Sequence, residues 1–380
     1  MSSTTACTEP TTAPPRLASI DLVRGGAMVL MLLDHLRDTF YLHQQVSDPM
    51  SLATDPALFF SRLCCHFCAP AFIFLAGVSA WLKGHPAGVG ALPLRAFLAK
   101  RGLFIIALEL TLVSFAWNGR VPWTVYLQVM WAIGICMLVL ALLHRWPRWA
   151  LLALGLLLTC GHHLLSGATA DHPLGTVLLH RGYLHQGIGW SIRVSYPVLP
   201  WIGVILLGYG LGPLFSPLEP AGGRIRKLVA LGSASWAVLL FLRCCNLYGE
   251  SSPWRPMDTP LLSLMDFLNF TKYPPSADFL LLTLGGCFLA LAILERFPPR
   301  RAAWLVTLGS APLFFYLTHL YLLLGLQRLG RLFTGSGQFN LGAVWQLWVA
   351  TLVLLPPLWA ACRAFSRLKR RRPSPWLRYL

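Results

Sequence analysis

Residues Met28–Asp38 read MVLMLLDHLRD, an apolar run that leads straight into Asp34, His35, Arg37 and Asp38. The stretch before it, from Ile20, is also mostly apolar apart from Asp21 and Arg24. On a helix at 100° per residue, Arg24, Met28, Met31, His35 and Asp38 fall at i, i+4, i+7, i+11 and i+14. They share one face, which Asp21 and Gly25 border. Val23, Leu30 and Leu33 lie away from it, toward lipid or neighbouring helices. Ionisable groups inside a membrane normally face the bundle interior, so the stripe predicts a helix buried among others. Arg24 and His35 are separated by roughly 16 Å along the axis. Asp38 is placed to meet His35 on the same face, whereas Asp34 needs a partner on another helix.

The whole chain supports a membrane reading. Its 380 residues are 56% hydrophobic and only 12% charged, against about a quarter charged in soluble domains. Ten stretches approach the roughly 20 apolar residues a span requires. They are 19–39, 58–82, 97–117, 123–143, 148–165, 194–214, 228–246, 277–295, 303–325 and 342–363. The expectation is an all-α polytopic membrane protein of about ten transmembrane helices with both termini cytoplasmic, in the plasma (inner) membrane. A disordered tail over residues 1–15, a transmembrane domain over 16–365 and a basic cytoplasmic tail over 366–380 complete it. In this arrangement twenty of the 31 Lys and Arg lie inside, ten outside, and Arg24 within the first span, as the positive-inside rule asks. The net charge of +17 is then mostly a topology signal. RLKRRRPSPWLR (367–378) reads as a segment near anionic headgroups, not as a nucleic-acid site. CCHFC (64–68) reads as helix packing, with no metal expected.

Other spans place polar groups at the depth of His35. Glu109 lies thirteen residues into the expected span 97–117, within RGLFIIALELTLVSF, and His319 with Tyr316 lies in LGSAPLFFYLTHLYLL. Pro70 and Pro312 are expected to kink their helices. Lys272 and Tyr273 precede a double proline in NFTKYPPSADF, and 172–201 carries further His and Arg. A shared polar chamber open to the outer side accounts for these groups. Ordinary interfacial anchoring is the alternative for the loop residues.

Seven segments then occur in order: RLASIDLVRGGAMVLMLLDHLRD, SRLCCHFCAPAFIFLAGVSAWL, RGLFIIALELT, QVMWAIGICM, YPVLPWIGVILLGYGLG, TKYPPS and LGSAPLFFYLTHLYL. Together they resemble the bacterial relatives of heparan-alpha-glucosaminide N-acetyltransferase. The resemblance implies a transmembrane acyltransferase that takes acetyl or another acyl group from cytosolic acyl-CoA to a sugar-like acceptor on the far side. Arg24 matches the arginine of the first-helix signature. His35 falls where the lysosomal enzyme carries an Asn near its reaction centre. That enzyme's catalytic His has no clear counterpart here, which leaves His43 and His66 as candidates beside His35.

On this reading His35 is a general base, or else a nucleophile that forms an acyl-imidazole. Asp34 or Asp38 orients it, and Arg24 holds a phosphate of the donor. Glu109, Tyr316 and His319, with Lys272 and Tyr273 from the loop, bind substrate or steady the oxyanion. The partners are the lipid bilayer, the acyl donor and the acceptor, and a homodimer is left open. A transporter or flippase suits the same mid-membrane polar groups, and a membrane scaffold or sensor is the third class.

Overall fold

The computed structural model describes residues 17–44, 46–86, 92–119, 124–168, 172–299, 301–335 and 339–371. The N-terminal tail expected over 1–15 lies outside these residues, as does 372–380 of the basic tail. Helix α1 (Ala18–Phe40) leads. It is followed by α2 (Pro56–Cys65) and α3 (Cys68–Gly84). Asp55 starts α2 by accepting the Leu58 N–H at 3.1 Å, and Pro56 stands where its missing N–H is not needed. Helix α4 (Arg95–Leu108) passes through a π-helical turn, Glu109–Val113, into α5 (Ser114–Asn118). Then come α6 (Val129–Leu143), α7 (Arg148–Gly161), α8 (Pro173–Leu178), α9 (Leu199–Gly210) and α10 (Ala221–Cys245). The last five are α11 (Pro260–Phe267), α12 (Ala277–Arg296), α13 (Ala303–Gly309), α14 (Pro312–Thr334) and α15 (Val344–Arg371).

The molecule is a mostly helical integral membrane protein. Among the described residues, five segments are long and apolar enough to cross a bilayer: Pro56–Gly84, Arg148–Leu165, α10, α12 and α15. Helices α13 and α14 together make a sixth, although the chain turns by 88° between them. That turn is sharper than the kink expected from Pro312, because the proline begins a new helix. Pro70 follows the break at His66–Phe67 that divides the span Pro56–Gly84 into α2 and α3. It stands in the first turn of α3, where no intrahelical donor is required. Helix α15 continues to Arg371, past the boundary expected at 365.

The stretch expected as the fourth span opens as strand β1 (Thr124–Leu127) before α6 begins. With β2 (Gly182–Gln186) and β3 (Ser191–Val194) it forms a sheet in the order β1–β3–β2, parallel then antiparallel. This small sheet departs from the all-α expectation. Its strands are four or five residues long, too short to register as a period among longer apolar runs.

Helix α1 sits at the centre, against α3, α12, α13, α14 and α15. Leu33, expected to face away from the polar stripe, is as buried as Met28 and Leu32, because neighbours surround α1. The periphery is different. Leu156 and Leu157 of α7, Phe241 of α10, and Leu352 and Val353 of α15 are exposed, as lipid-facing positions are.

The crossing of α1 with α13 requires two glycines. A Cβ on Gly25 would collide with the carbonyl of Leu305, and one on Gly309 with the carbonyl of Asp21. Such close backbone approach is how membrane helices gain packing without a hydrophobic driving force. Gly26, one position along, has open space around its missing Cβ. Gly25→Ala and Gly309→Ala should therefore each cost about 1–3 kcal/mol and lower the melting midpoint in detergent. Gly26→Ala should hold or raise it. Equal midpoints for the Gly25 and Gly26 variants would refute this crossing.

Candidate active site

One cavity of about 370 Å³ runs beside α1 and is lined by Arg24, Met31, Asp34 and His35 of that helix. Arg24, Met31 and His35 of the stripe read from periodicity thus face this space, whereas Met28 and Asp38 do not line it. Three further cations, Lys83, Arg101 and Lys369, also line the cavity. Arg24 donates to the Leu75 carbonyl at 3.0 Å and to the Ser79 hydroxyl, and its guanidinium lies 3.5 Å from Asp21. Lys83, one turn beyond Ser79, rests over the Phe97 ring at 4.2 Å.

Around His35 the wall changes to Tyr196, Lys272 and Tyr316. The imidazole is bonded to a second one, His35 Nδ1 to His319 Nε2, at 2.7 Å. His319 Nδ1 is 2.8 Å from the carbonyl of Phe315. A carbonyl only accepts, so His319 Nδ1–H is the donor there. Its Nε2 then carries a lone pair and accepts from His35 Nδ1–H. For the neutral pair this chain leaves the lone pair of His35 on Nε2, which makes no hydrogen bond among the described residues. Trp117 and Tyr316 meet the ring edge-on, at centroid distances of 5.1 and 5.9 Å.

The hydrogen-bond partner of His35 is therefore His319, not Asp38, which spacing places on the same face, nor Asp34, the other carboxylate proposed to orient the ring. Asp34 accepts from Arg37 Nε at 3.2 Å and from its Nη2 at 2.9 Å, and Asp38 pairs with the same Nη2 at 2.7 Å. Arg37, three residues from one and adjacent to the other, draws both carboxylates to itself. Asp34 also has Lys272 at 3.5 Å and Arg62 at 3.7 Å, so its partners come from its own helix as well as from others.

Lys272 is buried in the loop before α12. Its backbone N–H and that of Tyr273 donate to the Asp48 carboxylate, at 3.0 and 2.7 Å. Burial lowers the Lys272 pKa, but Tyr273 and Asp34 outweigh it and hold the ammonium above its ordinary value. Burial pushes the Asp48 carboxyl up, against Arg62 and these backbone donors. Tyr273 stands behind the wall, joined hydroxyl to hydroxyl with Tyr196 at 3.1 Å.

Glu109 belongs elsewhere. It is fully buried, and its Oε2 accepts the backbone N–H groups of Met130 and Trp131 at 3.0 and 3.1 Å. These are amides of the first turn of α6, left without intrahelical acceptors. Glu109 is a cap supplied from a distance, not a wall of the cavity. His43 is exposed against Tyr41, and His66 is buried against Phe279; neither lines the cavity. The thiols of Cys65 and Cys68 donate to the carbonyls of Leu30 and Ala27, each at 3.3 Å.

The model of a protein family described as heparan-alpha-glucosaminide N-acetyltransferase, catalytic, matches residues 16–243. The chain belongs to this family. No protein of curated function matches the chain. The region matched to the N-acetyltransferase family contains Arg24, Asp34, His35, Ser79, Lys83, Arg101 and Tyr196. Lys272, Tyr316 and Lys369 come from the chain beyond it and line the same cavity, and His319, also beyond it, stands behind the wall and bonds to His35.

Sequence reasoning missed Ser79, Lys83, Arg101, Tyr196 and Lys369 as wall residues. The cations had registered only in the charge count across the membrane. Ser79 and Lys83 share a face of α3 with Ala76, also a wall residue, and that face was the available signal. The capping role of Glu109 has a direct test. Glu109→Leu leaves two amides without an acceptor, at about 1–3 kcal/mol each, and should lower the detergent melting midpoint markedly. Glu109→Gln keeps a side-chain oxygen and should lower it less. A Leu variant that melts with the wild type would remove the cap.

Proposed function

We propose that this family member is an integral membrane acyltransferase that takes an acyl group from acyl-CoA on the cytosolic side. The acyl group passes to an amine or hydroxyl of a sugar-like acceptor on the outer side of the plasma (inner) membrane. Acetyl is the group the family description points to. In this reading the chain crosses ten times with both termini cytoplasmic, and α1 is a crossing despite its charges. The Lys and Arg bias supports that orientation. The observation that carries the reading is a single cavity lined by Arg24 toward one end of α1 and by His35 toward the other.

The chemistry follows from the atoms on that wall. His35 Nε2 takes the proton of the acceptor N–H or O–H as the acceptor atom attacks the thioester carbonyl. The C–S bond breaks, and the proton passes from Nε2 to the departing thiolate. Alternatively Nε2 attacks first, and the acceptor then displaces an acyl-imidazole. Both routes need the lone pair on the same nitrogen. As His35 becomes imidazolium, its Nδ1–H stays bonded to His319, and the adjacent Asp34 favours the positive ring. Lys272 sets a cation beside the site where negative charge develops on oxygen, a type of contact worth about 10²–10³ in rate elsewhere. Tyr196 and Tyr316 offer hydroxyls to a polar acceptor. Arg24, with Lys83, Arg101 and Lys369, faces the phosphates of the donor.

Two outcomes test this. Purified protein given radiolabelled acetyl-CoA and a panel of amines and amino sugars should transfer label. His35→Ala should reduce transfer by about 10²–10⁴. Label transfer that persists in this variant would remove His35 from its role, and ligand flux in vesicles without acyl-CoA would favour a transporter. Separately, nitrogen-labelled histidine spectra of the wild type should show Nδ1 of His35 protonated and Nε2 bare. His319→Gln, which retains an acceptor, should preserve that tautomer and much of the transfer. His319→Leu should lose both, and an unchanged tautomer in the Leu variant would refute the hydrogen-bond chain.

A further inference from the structure

A second cavity, of about 450 Å³, lies against the first residues of α1 and the last turns of α15. Ser310, at the bend between α13 and α14, lines both cavities, so the two share a wall. The second one is lined by Arg363, Arg367 and Arg370, which fall at i, i+4 and i+7 and so share one face of α15. Thr307, Ser310 and Ser366 add hydroxyls, and the Ser310 and Ser366 oxygens are 3.4 Å apart. The one carboxylate on this wall, Asp21, already lies 3.5 Å from the Arg24 guanidinium. No ion pair engages the three arginines among the described residues, and Arg363 rests over the Trp359 ring at 5.2 Å.

Three guanidiniums lining one space form an anion site, with the Ser366 hydroxyl beside them; the Thr307 and Ser310 hydroxyls already donate to the carbonyls of Ala303 and Thr307. Arginine presents five N–H groups in a fixed fork and no acceptor, a geometry matched to phosphate oxygens. The position matters as much as the charge. Along α1 the second cavity touches Ala18 and Asp21, Arg24 follows, and His35 comes last. Ala18 and His35 are separated by roughly 26 Å along the axis. Two cationic walls thus follow one another along α1, with the imidazole beyond them. A ligand with two separated phosphate groups and a long arm ending in a thioester fits that order.

We propose that the second cavity is a phosphate subsite, in which Arg363, Arg367 and Arg370 hold the terminal ribose phosphate of a coenzyme A donor. The pyrophosphate of that donor lies toward Arg24, Lys83, Arg101 and Lys369, and its thioester lies at His35. The inference rests on the acyl-CoA reading but assigns a part of the chain, α15, that lies beyond the matched family region.

The test compares coenzyme A with 3′-dephospho-coenzyme A, by binding to the full chain in phosphatidylcholine nanodiscs. The wild type should bind the phosphorylated form on the order of tenfold more tightly or better. In the double variant Arg367→Gln, Arg370→Gln that ratio should collapse toward one. Arg367→Lys, Arg370→Lys should keep part of it, and melting midpoints report on folding of both variants. A ratio unchanged by the Gln substitutions overturns the subsite. So does a wild-type ratio near one with a melting midpoint raised by added phosphatidylglycerol only while the arginines are present, since the phosphate is then a lipid headgroup. Failure of the wild type to bind either form refutes the donor reading itself, a result separate from failure of the subsite.

Discussion

A helix that carries Asp21, Arg24, Asp34, Arg37 and Asp38 cannot present those groups to hydrocarbon, and this constraint organises the molecule. Each charge inside a bilayer must be paired, solvated or enclosed. Helix α1 meets the requirement by lying at the centre of the bundle, with α2, α3, α12, α13, α14 and α15 packed against it. Arg37 binds two carboxylates, and Lys272 reaches in from a loop to a third side of Asp34. The space that remains beside the helix is the cavity. The same charges that make α1 a poor lipid-facing span therefore create the compartment in which polar chemistry is available.

Along that compartment the lining changes character. One part carries the cations Arg24, Lys83, Arg101 and Lys369. Another part sets two imidazoles, bonded to each other, among aromatic rings. A backbone carbonyl, that of Phe315, propagates a hydrogen-bond direction through His319 to His35 and exposes one nitrogen. Asp34 and Asp38 are spent on Arg37, so they do not compete for the ring. Lys272 ties this region to the loop region, since its backbone is held by Asp48 and its ammonium faces Asp34.

Much of this was legible in the residues alone. The face containing Arg24, Met31 and His35 follows from helical periodicity, and those side chains line the cavity. His319 and Tyr316, expected beside His35 from their distance along a span, do meet its ring. Glu109 shows where that kind of reading fails. The backbone amides it caps lie twenty-one and twenty-two residues further on, and no local pattern marks a cap supplied across two elements. The short strands β1 and β3 were absorbed into apolar runs for a similar reason, since a four-residue strand has no period of its own.

By itself the sequence determined that this is a helical membrane protein, that α1 must be enclosed, and which of its faces is polar. Those properties are set by the number of apolar residues in a row and by the angle between successive side chains, both local quantities. Only the tertiary structure decided that the partner of His35 is His319, 284 residues away, and that charges of α3, α4 and α15 line the same cavity as Arg24. Hydrogen bonds form between atoms in contact, and contact between distant segments is decided by how the helices pack. At α1 and α13 that packing depends on two glycines, each set against a backbone carbonyl of the opposite helix.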